Sequence, residues 1–239
     1  MFSLTVLGKY GPYPKAGGAC SSYLVRCGDT KILLDAGNGS FANLRRHMDY
    51  RELSAVILSH MHSDHMSDLL VMRYAVQVNK LPPFKLYLPA TPDNMYGLLS
   101  SDKAFRAETI GDGMEIKLNG AEITFCAMTH SVESYAVKIK YMDKVFVYSG
   151  DTSRNSSLAG FAGGCDLLLT DAQFSNSNLP ANPPHMSAAQ AAAAAKDAGA
   201  GKLMLTHMNP EQDEEALLKE AKAVFEDTVV VQENETYDI

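Results

Sequence analysis

Apolar and polar residues along this chain fall into short blocks with two periods. Phe2–Leu7, Ser22–Cys27 and Lys31–Leu34 have strand length, and the last two face each other across Gly28-Asp29 as a hairpin. Ala55-Val56-Ile57-Leu58 is wholly apolar and predicts a buried strand. Phe84–Leu88, Met114–Leu118, Glu122–Met128, Tyr135–Tyr141, Lys144–Tyr148, Asp166–Leu169, Lys202–Thr206 and Thr228–Val231 add further strands, with turns at Asn119-Gly120 and Met142-Asp143. Helical spacing covers Phe41–Tyr50, Ser67–Val78, Ser187–Ala198 and Glu211–Phe225. Thr91-Pro92-Asp93 predicts another helix start, with Thr91 as N-cap and Pro92 in the first helical position. Ser187 and Gln190 form a capping-box pattern, and Gly199 stops that helix. Strands lead in each half and helices follow. That order predicts two packed sheets with helices outside, in a single domain over residues 1–239. Between the first two strands, the Gly/Pro segment Lys9–Ala19 is either a surface connection or a lip over a site.

Composition narrows the class. Of 239 residues 46% are hydrophobic, ordinary for a globular protein with a sizeable core. No apolar run approaches the ~20 residues a membrane helix needs. The N-terminus has no basic segment ahead of its apolar run, so no signal peptide is expected and a cytoplasmic location is the default. A net charge of −7 disfavours broad binding to nucleic acid or an anionic membrane. It leaves room for a small anionic substrate in a metal-lined pocket, where the ions dominate the local field. The four cysteines show no C-x-x-C spacing and read as reduced thiols.

The candidate chemistry follows the apolar strand at residue 55. Ser59-His60-Met61-His62-Ser63-Asp64-His65 places three imidazoles and a carboxylate within six residues. Burying them leaves polar atoms in need of partners, and a metal supplies one. On extended backbone His60 and His62 converge on one point, while Asp64 and His65 reach a second point as the chain turns. The spacing therefore suggests more than one ion. Later in the chain one event recurs: an apolar strand runs out into a metal-capable residue, at His130, Asp151 and His207. His185 stands just before a helix N-terminus, a favourable place to engage an anion. His47 lies on a helix and reads as a surface residue.

Leu33-Leu34-Asp35-Ala36-Gly37, His60-x-His62-x-Asp64-His65, the isolated His130, Ser149-Gly150-Asp151-Thr152 and Thr206-His207 together resemble the metallo-β-lactamase superfamily, in that order and across nearly the whole chain. The resemblance implies an α+β fold, a four-layer αββα sandwich with a two-metal site at one edge of the sheets. It implies that His60, His62 and His130 bind one ion, that Asp64, His65 and His207 bind the second, and that Asp151 bridges them, with Asp35 supporting the ligands. Zinc is the leading metal, with manganese or iron as alternatives.

Asp171-Ala172-Gln173-Phe174 and Pro184-His185-Met186-Ser187-Ala188 are similar to the ribonuclease Z branch of phosphodiesterases, which implies a catalytic His185 paired with Asp171. The acid is usually Glu in that branch, and here it is Asp. Enzymes of the branch that process tRNA 3′ ends carry a long clamping arm, and His130 to Asp151 spans too few residues for one. The expectation is a dinuclear hydrolase acting on a small or cyclic phosphodiester through a metal-bridging hydroxide. Asp64 would orient the nucleophile, and His185 would protonate the leaving group. Ribonuclease Z-like RNA processing, ester or lactone hydrolysis and a non-catalytic metal protein are the alternatives. Seven ligands for two ions leave open positions, which favours catalysis over a closed structural site. The branch often dimerises, so a homodimer stays an open option.

Overall fold

The computed structural model describes residues 1–239. The first half runs β1 (Phe2–Gly8), β2 (Ser22–Cys27), β3 (Thr30–Leu34), α1 (Ser40–His47), β4 (Ala55–Ile57), α2 (Ser63–Met66), α3 (Leu69–Val78), β5 (Phe84–Leu88), α4 (Asp93–Ser100) and β6 (Phe105–Thr109). The second runs β7 (Glu115–Leu118), β8 (Ala121–Ala127), β9 (Tyr135–Tyr141), β10 (Lys144–Tyr148), α5 (Ser156–Phe161), β11 (Leu167–Asp171), α6 (Ala188–Ala198), β12 (Lys202–Thr206), α7 (Glu214–Lys222), β13 (Thr228–Val230) and β14 (Thr236–Asp238).

Two seven-stranded sheets result, ordered β14-β1-β2-β3-β4-β5-β6 and β13-β12-β11-β10-β9-β8-β7. They pack face to face through alternate residues of each strand. Leu4, Val6, Tyr23, Val25 and Ile57 meet Ile123, Phe125, Val137, Phe146 and Leu169 in one buried cluster. The opposite face of the first sheet buries Leu24, Leu33 and Val56 under Leu44, Leu69 and Met72 of the helices. The outer face of the second sheet packs Val147, Leu168 and Leu205 against the alanines of α6 and Leu217 of α7. This is the expected αββα sandwich.

Most predicted elements stand. The capping box at Ser187 and Gln190 closes in both directions, and Gly199 ends α6 at φ 62°. Several details differ. Pro92, not Thr91, occupies the N-cap of α4, because the Thr91 hydroxyl donates to Glu133 Oε2 at 2.9 Å instead of capping the helix. The final helix begins at Glu214, not Glu211, because Asp213 accepts from the backbone N–H groups of Glu215 and Ala216 and sets the start. Strands β6 and β14 and helix α5 carry no strong pattern of their own. β6 alternates weakly, and β14 exists by pairing with β1 from 231 residues away at Thr5 and Thr236. The Lys9–Ala19 segment is no simple surface connection. Lys9, Tyr10 and Ala19 are buried, and Lys9 Nζ is 2.7 Å from Glu214 Oε2.

Candidate metal centre

β3, β4, β8, β10, β11 and β12 all deliver their C-terminal ends to one edge of the sandwich. That is where crossover topologies leave a crevice. Asp35 follows β3 in the left-handed region at φ 55°, and His60 follows β4. His62 stands at the N-cap of the single turn α2, which carries Asp64 and His65. His130 lies beyond β8, Asp151 beyond β10 and His207 beyond β12. Gly150, between strand and Asp151, is at φ 60°, and a Cβ there would lie 2.9 Å from the Tyr135 carbonyl oxygen. That close approach requires glycine.

The structure brings every predicted ligand together. His60, His62, His130 and Asp151 offer ligand atoms within 4.8 Å of one another, and so do Asp64, His65 and His207. His62 Nδ1 is 3.1 Å from both His60 Nε2 and His130 Nε2. Asp151 joins the two groups: Oδ2 is 3.5 Å from His60 Nε2 and 3.3 Å from His65 Nε2, and Oδ1 is 3.3 Å from His207 Nδ1. Asp64 Oδ2 lies 3.6 Å from His65 Nε2 and 3.8 Å from His207 Nε2.

The far nitrogen of each ring is held by a protein oxygen. His60 Nδ1 meets Ser59 Oγ at 3.0 Å, His65 Nδ1 meets Asp35 Oδ2 at 2.8 Å, His207 Nδ1 meets Ser21 Oγ at 3.0 Å and His130 Nδ1 meets the Pro184 carbonyl at 3.0 Å. His62 Nε2 has the longest such contact, 3.5 Å to Ser131 Oγ. Such anchoring fixes ring orientation and leaves the opposite nitrogen for a metal. Asp35 also accepts from Ser59 N–H at 2.7 Å and from Tyr148 OH at 2.8 Å, so its carboxylate faces away from the cluster.

A metal fits this donor set. Three of the eight buried side-chain polar atoms without a hydrogen-bond partner, His65 Nε2, His207 Nε2 and Asp151 Oδ1, belong to it. Burial and neighbouring imidazoles push His60 and His207 well below the usual histidine range, and burial with His130 brings His62 down to about 4. Neutral rings are the form that ligates. His65 is the exception among these ligands: burial is outweighed there by the Asp151, Asp64 and Asp35 carboxylates, which push it well above the usual range. Burial would raise Asp151, but His207, His65 and His60 hold it well below the carboxylate range.

His185 flanks the cluster. Its Nδ1 is 2.7 Å from Asp171 Oδ2, while Asp151 Oδ2 is further off at 3.8 Å. Burial opposes its protonation, yet the Asp171 and Asp151 carboxylates overcome this and push His185 up to about 9. Of the other residues that shape the site, Ser21 had no signal in the sequence, while Ser59, Ser131 and Pro184 each adjoin a singled-out histidine without a pattern that gives their role. His47 ends α1 and meets Asn234 Oδ1 at 3.1 Å, well outside the cluster.

The fold and the cluster define a metallo-β-lactamase-type hydrolase scaffold. The family described as beta-lactamase superfamily domain matches residues 30–208, and the chain belongs to that superfamily. It is 32% identical over 227 residues to the "Probable metallo-hydrolase YhfI" of Bacillus subtilis, across 93% of each protein. The crystal structure of YhfI superposes with a TM-score of 0.94 at 30% identity, over 99% of this chain and 98% of that one. Ribonuclease Z of Archaeoglobus fulgidus is 22% identical over 294 residues, covering 98% of this chain and 96% of its own. A diphosphatase of the PhnP family shares the fold at a TM-score of 0.77 and 16% identity, over 100% of this chain and 98% of that one. These relatives make the chain a metallo-hydrolase with a His/Asp cluster suited to metal ions. No helix is long and apolar enough to cross a membrane.

Proposed function

We propose that this protein is a dinuclear metal-dependent phosphodiesterase acting on a small or cyclic phosphodiester. The observation that carries the reading is the Asp171–His185 pair beside the metal cluster, since a metal scaffold needs neither residue and a neutral ester needs no cationic histidine. His60, His62 and His130 would hold one ion, Asp64, His65 and His207 the other, and Asp151 both. Zinc is the first choice, and manganese or iron suits the same donors. Two dications bound there supply an activated water at neutral pH and neutralise charge on a phosphoryl group.

The chain's own residues divide the remaining work. Asp64 orients the attacking water. The water oxygen bonds to phosphorus as the bond to the leaving oxygen breaks. Asp171 accepts a hydrogen bond from His185 Nδ1–H and so fixes the ring with Nε2 free of any protein partner. That Nε2 proton passes to the leaving alkoxide. Two features support a small substrate over an RNA 3′ end. The chain carries a net charge of −7, and between His130 and Asp151 it makes only the β9–β10 hairpin, with no arm. Ribonuclease Z and a PhnP-family diphosphatase among the similar proteins support phosphorus chemistry.

The test is hydrolysis of bis(p-nitrophenyl) phosphate by protein of measured metal content, before and after chelation and with zinc or manganese restored. Two metals per chain with chelator-sensitive cleavage is the expected result, followed by a screen of cyclic phosphates. Two metals with cleavage of carboxylic esters or lactones alone would replace this reading. No turnover of any of them at full metal loading would leave a non-catalytic metal protein.

A further inference from the structure

The metal centre occupies the C-terminal edge of the first sheet. At the opposite edge, where β4, β5 and β6 begin, three contiguous hollows share Arg51. One of about 410 Å³ is lined by Arg45, Arg46 and Arg51. A second of about 290 Å³ is lined by Arg51, Lys85 and Arg106. The third, about 300 Å³, sets Phe41, Tyr50 and the Asn79 amide beside Arg45 and Arg51. Five cationic side chains thus surround one region with a single carboxylate, Asp49, among the lining residues. Asp49 is committed to Arg51, with Oδ1 accepting from its backbone N–H at 3.0 Å and from Nε at 2.9 Å.

Ordinary structural causes account for part of this cluster only. Arg45 and Arg46 stand in the last turn of α1, where the helix dipole favours cations. Arg51 lies in the single 3-10 turn Tyr50–Glu52, and Lys85 and Arg106 belong to no helix. Lys85 and Arg106 are register partners on adjacent parallel strands, and neither has a carboxylate within ion-pair distance. Like charges side by side on neighbouring strands are destabilising. In a chain with 28 acidic and 21 basic residues, Asp49 neutralises Arg51 alone, and Arg45, Arg46, Lys85 and Arg106 around it have no carboxylate partner.

We propose that this edge is a binding site for a small molecule carrying two or more phosphate groups. Arg45 and Arg46 on one side and Lys85 and Arg106 on the other would hold the phosphates, since guanidinium groups bind phosphate through paired N–H donors. Arg51, whose Nε and Nη2 are held by Asp49, would add its remaining donors between them. The Phe41–Tyr50 hollow, with ring centroids 5.3 Å apart, offers an aromatic wall for a ring attached to those phosphates. A long polyanion fits less well, because it would run off the basic edge onto a surface of net negative charge. The site lies at the N-terminal end of β4, and the candidate metal ligands lie beyond its C-terminal end.

The test is calorimetric titration of metal-loaded protein with inorganic tripolyphosphate and with ADP, in the wild type, Arg51→Ala and Lys85→Gln/Arg106→Gln. Because phosphates also reach the metals, binding to two classes of site is expected. The class that survives chelation should weaken at least tenfold in both variants. Tighter binding of ADP than of tripolyphosphate identifies a nucleotide, and the reverse order a simple polyphosphate. All these side chains are exposed, so melting temperatures should stay at the wild-type value, and a variant that melts early is replaced by Arg106→Gln alone. Equal affinity in wild type and variants, or binding that disappears entirely on chelation, overturns the proposal. So does binding of a long oligonucleotide in place of both small probes.

Discussion

Asp171 Oδ2 accepts a 2.7 Å hydrogen bond from His185 Nδ1 at the wall of the His/Asp cluster, linking the end of β11 to the residue two before the N-cap of α6. If His185 supplies the leaving-group proton, His185→Ala should lower kcat on bis(p-nitrophenyl) phosphate by ~10²–10⁴. Metal content by elemental analysis should stay at two per chain, because His185 is not among the residues proposed to hold the ions. Turnover equal to wild type would remove His185 from the mechanism.

Asp171→Asn separates proton donation from ring placement. In the metal-free protein the carboxylates raise His185 to about 9. Removing one of them lowers the pH at which the ring loses its proton. The alkaline limb of the kcat profile, where the acid is deprotonated, should therefore move to lower pH in Asp171→Asn. A limb that does not move, measured across the same buffers, would place the acid elsewhere.

The fold and the clustering of the candidate ligands were legible in the sequence for one reason. Four of the seven follow an apolar strand, so hydrophobic pattern and chemistry mark the same positions: His60 after Ala55–Leu58, His130 after Ala121–Ala127, Asp151 after Lys144–Tyr148 and His207 after Lys202–Thr206. His62, Asp64 and His65 follow directly on His60. What escaped sequence reasoning is what depends on tertiary placement. Ser21 holds His207 across 186 residues of separation, and Tyr148 reaches Asp35 across 113. A serine or tyrosine with such a role has no distinguishing neighbours. β14 was illegible in the same way, since three residues of edge strand take their structure from β1. The Lys9–Ala19 segment reads in the sequence as either a surface connection or a lip over a site, because glycine and proline mark turns without saying what the turn covers. Gly11 lets the backbone pass close to the His207 ring, a contact no local pattern marks.

Asp35 is a second target. It is fully buried and accepts from Ser59 N–H, Ser59 Oγ, His65 Nδ1 and Tyr148 OH. Asp35→Ala leaves those buried donors unpaired, at roughly 1–3 kcal/mol each before relaxation. It also frees the His65 ring. Metal affinity should fall about 10–100-fold, the usual effect of losing a group that orients a ligand. Competition titration with a chromophoric chelator reads the affinity, and thermal melting reads the stability. Wild-type affinity would show that His65 needs no such support.

Chelation should destabilise the protein. Metals that bind only the folded state add about 2.7 kcal/mol at a free concentration 100 times Kd. Their removal leaves His65 Nε2, His207 Nε2 and Asp151 Oδ1 buried without partners. The melting temperature should drop on chelation and recover with zinc or manganese. The protection should also fade on acidification, because protons compete for the ring nitrogens. A melting temperature indifferent to chelator would mean that the cluster holds no tightly bound ion.

Gly11 allows a test of one metal position without touching a ligand. A Cβ built on Gly11 would lie 2.0 Å from His207 Cε1 and 2.1 Å from Nε2. Loop and ring are pinned from both sides: Gly11 N–H donates to the Met208 carbonyl at 3.1 Å, and Ser21 Oγ meets His207 Nδ1 at 3.0 Å. Gly11→Ala must therefore displace the imidazole instead of sliding past it. The ion assigned to Asp64, His65 and His207 should weaken, while the one assigned to His60, His62 and His130 persists. Elemental analysis after mild dialysis should fall from two metals toward one per chain, with turnover falling alongside. Retention of both metals would show that the loop yields instead, and that its contact with His207 does not hold the ring.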